Sequence, residues 1–201
     1  MTNLRNFSLR VPESWVEYDL RNESLAAIRA KLLSQAGEEA TKEQVNTLFR
    51  KAREVLTGAK ERGAIYAAGA FQMYEDGLLL ANTMIFAVNP SPGRPITLQD
   101  MTRQLTRGEP DPNRSVTTVT LPEVGEVGRV TGTEEVMIDE DFGVKMLVMH
   151  TIVPIPDDER VLIVTCTSPN LPLAEQLFDL FDAISSTFRF TEPAALAGSK
   201  A

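Results

Sequence analysis

The chain carries a single histidine, His150, and a single cysteine, Cys166. Both fall in apolar, β-branched stretches. Residues 144–154 and 160–167 read as a hairpin joined by Ile155-Pro156-Asp157-Asp158-Glu159. Folded that way, His150 faces Thr165 or Cys166, within one residue of register. A thiol nucleophile needs a thiolate, a base in hydrogen-bond reach and usually a third group that orients the base. A cysteine in the middle of an apolar strand more often serves as a small hydrophobe, and the sequence favours that use for Cys166.

The other residues that could do chemistry form weaker patterns. Glu134-Glu135, Asp139-Glu140-Asp141 and Asp157-Asp158-Glu159 read as carboxylates at turns. Calcium takes about six to eight oxygens, with glycine at the sharp turn of a loop. The stretch from Asp139 to Gly143 has neither the spacing nor the bidentate glutamate of such a loop. Gly125, Gly128 and Gly132 do not form G-x-G-x-x-G, and no Walker lysine follows any of them, so they are expected at bulges and turns. No G-x-S-x-G is present, and Ser185-Ser186 falls at a helix end. Arg50, Lys51, Arg53, Lys60 and Arg62 alternate with Glu43, Glu54 and Glu61, the pattern of a solvated helix face with i,i+4 pairs. No catalytic residue, cofactor-binding residue or metal ligand is assigned, and the expected protein is not an enzyme.

Composition narrows the function classes. The chain has 201 residues, 43% of them hydrophobic and 24% charged, which is enough for one cored domain. Lys plus Arg is 20 and Asp plus Glu is 28, giving a net charge of −8. Nothing concentrates the positive charge that phosphates require, which argues against nucleic acid as a partner. One cysteine excludes an intramolecular disulfide and a cysteine-based zinc site. The N-terminus shows no apolar signal core. The most apolar stretch, residues 78–88, is shorter than the roughly 20 residues of a membrane span. A cytoplasmic location without stable membrane insertion is the expectation.

These residues must be held by elements that the periodicity outlines. Phe7, Leu9 and Val11 alternate as a strand that Pro12 ends, and residues 15–20 alternate again. Leu25, Ile28, Leu32 and Leu33 share a helical face that stops at Gly37. Thr41 and Gln44 have capping-box spacing before Val45, Leu48, Phe49, Ala52, Val55, Leu56 and Ala59, a long amphipathic helix with Gly63 just past its end. Residues 64–74 and 78–88 form a hairpin around Glu75-Asp76-Gly77, with Gly69 marking a bulge or the close approach of a helix. Because both strands are partly apolar on both faces, they belong inside the sheet. A loop over residues 89–95 precedes a short helix capped by Thr97. Strands follow at 116–121, 124–130 and 134–138, then the hairpin of His150 and Cys166. Leu173, Leu177, Leu180, Phe181 and Ile184 stripe a final helix that starts near 170–172.

This order predicts an α/β (α+β) fold, with an antiparallel sheet of about six to eight strands flanked by helices. Residues 1–190 form one domain with a helical insertion near 25–62, and 191–201 form a disordered tail. The closing stretch VLIVTCTSPNLPLAEQLFDLFDAISSTFRF, residues 161–190, resembles the closing unit of PsbP-like proteins. Phe7-x-Leu9-x-Val11-Pro12-x-x-Trp15 is similar to the opening of that family. Val127-Gly128-Arg129-Val130 and Val153-Pro154-Ile155-Pro156 look like uncharacterised actinobacterial proteins of similar length. The superfamily includes the DcrB family, LpqN-type lipoproteins and the yeast import factor that binds the GTPase Ran. The resemblance implies a PsbP-like sandwich in a binding or assembly role. The expected function is a non-enzymatic adaptor or chaperone whose partner is another protein. The alternative is a small-ligand or lipid-binding module with an apolar pocket between sheet and helices.

Overall fold

A computed structural model describes residues 5–18, 26, 29–30, 33–34, 39–74, 77–89, 114–137 and 143–191. The chain runs β1 (Phe7–Ser8), β2 (Val16–Glu17), α1 (Glu39–Glu61), β3 (Ala64–Tyr74), β4 (Gly77–Val88), β5 (Arg114–Leu121), β6 (Gly125–Met137), β7 (Gly143–Pro154) and β8 (Val161–Ser168). A 3-10 turn, Leu171–Leu173, then leads into α2 (Ala174–Ser186) and β9 (Arg189–Phe190). Seven strands form one sheet in the order β2-β3-β4-β8-β7-β6-β5, and β1 pairs with β9 in a second, two-stranded sheet. Each strand pairing among the described residues is antiparallel. The fold is therefore α+β with a seven-stranded antiparallel sheet, as the hairpin pattern predicted.

Alternation along the strands separates two faces. Leu162 and Cys166 share one face with Val153 and Met149, their partners in register, and with Val164 and Leu147 on the same two strands. Leu177, Phe181 and Ile184 of α2, with Phe188 after it, pack on that face and complete the main core. Ile152, Val161 and Ile163 point to the opposite face and form a separate cluster with Val88. Helix α1 packs along β3 and buries Phe49, Leu56 and Ala59. Gly63 adopts φ +92 just past the helix, and its carbonyl accepts from the Ala87 amide. That left-handed conformation is why glycine stands there.

Several expectations change in detail. The predicted strands at 124–130 and 134–138 are one 13-residue strand, β6. Gly128 and Gly132 lie inside it, and the ladder to β5 and β7 runs through both positions without a shift. Hydrogen bonding to a strand on each side outweighs their weak strand preference. Only Gly125, with φ +98 at the turn from β5, fits the expected turn role. Gly69 sits at no bulge. A Cβ there would meet the Ala81 carbonyl oxygen at 2.7 Å and the Tyr18 ring at 3.1 Å, so the close approach is of β4 and Tyr18, not of a helix. Val55 is 47% exposed, off the buried line of α1, and Leu173 is exposed at the start of α2. In the first predicted helix only residues 26, 29, 30, 33 and 34 are described, all helical. The loop at 90–95, the helix at 97–105, Asp139-Glu140-Asp141 and residues 192–201 lie outside the described residues.

Candidate functional site

Strand pairing decides the fate of the histidine and the cysteine. His150 stands opposite Thr165, and Cys166 stands opposite Met149. Adjacent residues of a strand face opposite ways, so the two side chains lie on opposite faces of the sheet. The sheet's own thickness keeps the thiol away from the imidazole. Cys166 is fully buried in the main core, where its Sγ lies 3.3 Å from Thr83 Oγ1. Burial pushes its thiol up to about 11, against a smaller downward pull from the Thr83 hydroxyl.

On its own face His150 joins a line of polar groups that crosses four strands. Thr165 Oγ1 on β8 is 3.0 Å from His150 Nδ1 on β7. His150 Nε2 is 3.6 Å from Glu134 Oε1 on β6, and Glu134 accepts a 2.6 Å hydrogen bond from Arg114 Nη2 on β5. In register, His150 opposes Val130, while Arg114 opposes Gly132. Glu134 is a further step along the same face. The bare Gly132 therefore leaves the surface over which the three long side chains converge. The order hydroxyl, imidazole, carboxylate is that of hydroxyl-activating triads, but at 3.6 Å His150 Nε2 and Glu134 are not hydrogen-bonded, so the carboxylate does not orient the ring as a triad requires. Here the Arg114 side chain is 8% exposed and that of His150 10%, so the line is set into the sheet and not on its surface. Glu134 and Glu135 thus lie within a strand, and not at the turn the sequence suggested.

A second buried cation lies on the core face. Arg129 of β6 reaches Asp182 of α2 through Nη1 and ties the helix to the sheet. Arg129 Nε and Nη2 and Thr151 Oγ1 are buried without a hydrogen-bond partner among the described residues. At the β7–β8 turn, Asp158 accepts hydrogen bonds from the Arg160 backbone amide and guanidinium, each at 2.9 Å. Those bonds hold its carboxyl at about 2, below the usual carboxylate value. On α1, Lys51 pairs with Glu54 at 3.7 Å in an i,i+3 step. No three His, Cys, Asp or Glu side chains gather as a metal site requires among the described residues. No described helix is long and apolar enough to cross a membrane.

The other feature with functional reach is the sheet's outer edge. Among the described residues β5 pairs with β6 alone in the sheet order. Its residues from Ser115 to Thr118, and Thr120, are exposed, which takes in both faces of the strand. Val116 is 52% exposed. An edge strand offers a row of unpaired amides and carbonyls to any other extended chain. Sequence reasoning found this strand but not its place, because alternation shows that a segment is a strand and not which neighbours it has. The available signal was its composition, β-branched throughout residues 116–120 with threonines on both faces and apolar core contact only at Val119 and Leu121. No protein-family description matches the chain, and no curated protein matches it significantly.

Proposed function

We propose that this chain is a non-enzymatic cytoplasmic protein-interaction module, an adaptor or chaperone for a secreted or assembled partner. The observation that carries the reading is the β5 edge, eight residues long and exposed along most of its length. Adding a strand to such an edge gives affinity through main-chain hydrogen bonds and specificity through alternate side chains. The resemblance of residues 7–15 and 161–190 to PsbP-like proteins supports the reading by analogy, since that fold hosts binding and assembly roles. The separation of His150 from Cys166 removes the strongest nucleophilic pair from the competing enzyme reading. The small-ligand reading needs a cavity of at least about 300 Å³. The layer between the sheet and α2 is instead occupied by Leu177, Phe181, Ile184 and Phe188.

The test is affinity capture from native host lysate with the wild-type chain and with Val116→Lys, read by quantitative mass spectrometry. One stoichiometric protein, retained by the wild type and lost with the variant, is the expected result. A co-purifying small molecule in native mass spectra, with no protein partner, overturns the reading in favour of a ligand-binding module. A protein partner equally retained by both chains overturns the role of the β5 edge.

A further inference from the structure

We propose that one flank of α1 is a docking site for an acidic linear segment of another protein, on a surface separate from the β5 edge. Helix α1 packs on β3, next to one end of the sheet order, and β5 closes the other end. Phe49, Leu56 and Ala59 of α1 are buried. Arg50, Arg53, Thr57 and Lys60 follow helical steps of 3, 4 and 3 along the line beside them, and each is exposed. Arg29 stands at the N-terminal end of that line. Its guanidinium donates to Asn46 Oδ1 from Nε at 2.9 Å and from Nη2 at 2.6 Å. Asn46 is one turn before Arg50, and its neutral amide positions Arg29 without cancelling the charge.

These cations are left uncompensated. The sequence pattern offers Glu54 to Arg50 as an i,i+4 partner, but Lys51 takes Glu54 at 3.7 Å. Among the described residues Arg50, Arg53 and Lys60 form no ion pair. Residues 50–62 hold five cations and two carboxylates, a net +3, so the rest of the chain carries −11. A cationic line in an otherwise acidic surface draws a short acidic segment to one place and repels it elsewhere. The same balance disfavours a long polyanion or an anionic bilayer, whose other phosphates would face the acidic remainder. The buried line of α1 is already committed to the sheet, which leaves no apolar stripe to enter a bilayer.

Helix geometry sets the size of the segment. From Asn46 to Lys60 the line rises about 21 Å at about 1.5 Å per residue. An extended chain advances about 3.4 Å per residue and turns every second side chain to the same side. About six residues therefore cover the line and present a carboxylate to it about every 7 Å.

The test is fluorescence anisotropy of a labelled hexaglutamate peptide titrated with the full chain in about 50 mM salt. Binding is expected, and it should weaken at least about threefold in about 200 mM salt, because exposed charges carry it. Arg50→Gln, Arg53→Gln and Lys60→Gln together should weaken it at least about tenfold, and glutamine preserves the helix. Arg5→Gln, Arg10→Gln and Lys145→Gln remove the same charge from other exposed positions and should leave binding nearly unchanged. Asn46→Ala releases Arg29 and should weaken binding about twofold to threefold, the loss expected when a held group is set loose. No binding of hexaglutamate, or equal weakening by the two triple variants, overturns the proposal. Equal or tighter binding of an oligothymidylate of similar charge, or of phosphatidylserine vesicles, assigns the line to phosphate and overturns the acidic segment as its occupant. None of these substitutions touches β5, so the outcome is independent of the capture test with Val116→Lys.

Discussion

Cys166 shows how one residue's chemistry follows from its neighbours. In water a thiolate is a ready nucleophile, but at full burial the charged form loses its hydration. Its thiol therefore ionises at about 11 in the folded chain. The unfolded thiol ionises first as pH rises through about 9. Between those values the folded state holds the extra proton, so Cys166 contributes stability below about pH 9 that is lost on the way to 11. Cys166→Ala should remove this part of the alkaline loss of stability, seen as a flatter curve of unfolding free energy against pH. At neutral pH, a thiol reagent should modify the native wild type only at the rate at which the chain opens. Labelling as fast as in urea would mean that the core around Thr83 and Cys166 is not closed.

At the scale of the element, neighbours override local preference. β6 keeps Gly128 and Gly132 in a single ladder because strands on both sides supply its hydrogen bonds. Gly132 also leaves the space in which Arg114, Glu134 and His150 meet. Gly69 is needed for a different reason. It stands between Val16 of β2 and Asn82 of β4, where the Ala81 carbonyl and the Tyr18 ring leave no room for a Cβ. Gly69→Ala should destabilise the chain by about 1–3 kcal/mol, the usual range for overpacking a fitted site. Chemical denaturation measures it directly. An unchanged midpoint would show that Tyr18 and β4 yield freely.

The whole molecule is closed by its two ends. β1 pairs with β9, and the Thr191 amide donates to the Asn6 carbonyl at 2.9 Å. Thr187 Oγ1 accepts from the Arg10 amide at 2.8 Å, so the residues after α2 hold the first strand at both its ends. The Phe7 ring stacks on Phe188 at 5.7 Å, and Phe188 meets Phe190 edge to face at 5.2 Å. Phe188 is fully buried and belongs to the main core, so this small sheet and the large one share one apolar body. Phe7→Ala should cost about 2 kcal/mol, less than the 3–5 of a fully buried phenylalanine because Phe7 keeps some exposure. The midpoint of urea unfolding should fall without a second transition. A separate early transition would show that the terminal sheet is not part of the same cooperative unit.

The sequence by itself determined the elements and the class of the fold. Period-2 runs, a long amphipathic helix ended at Gly63 and two hairpins leave an antiparallel sheet with helices on it as the way to bury their apolar faces. It also bounded the candidate site, placing His150 within one residue of register of Thr165 and Cys166. The tertiary structure alone decided the rest, because register has a period of two and a single-residue step moves a side chain through the sheet. That step put Cys166 in the core and His150 in line with Thr165, Glu134 and Arg114. Glu134 and Arg114 were invisible as partners because the sequence pattern divides β6 into two short strands at 124–130 and 134–138, which leaves the register of β6 against β5 and β7 open. The open edge at β5 is decided the same way. Strand order is a property of the assembled sheet, and among the described residues that order leaves β5, uncharged from Ser115 to Leu121, at the sheet's edge.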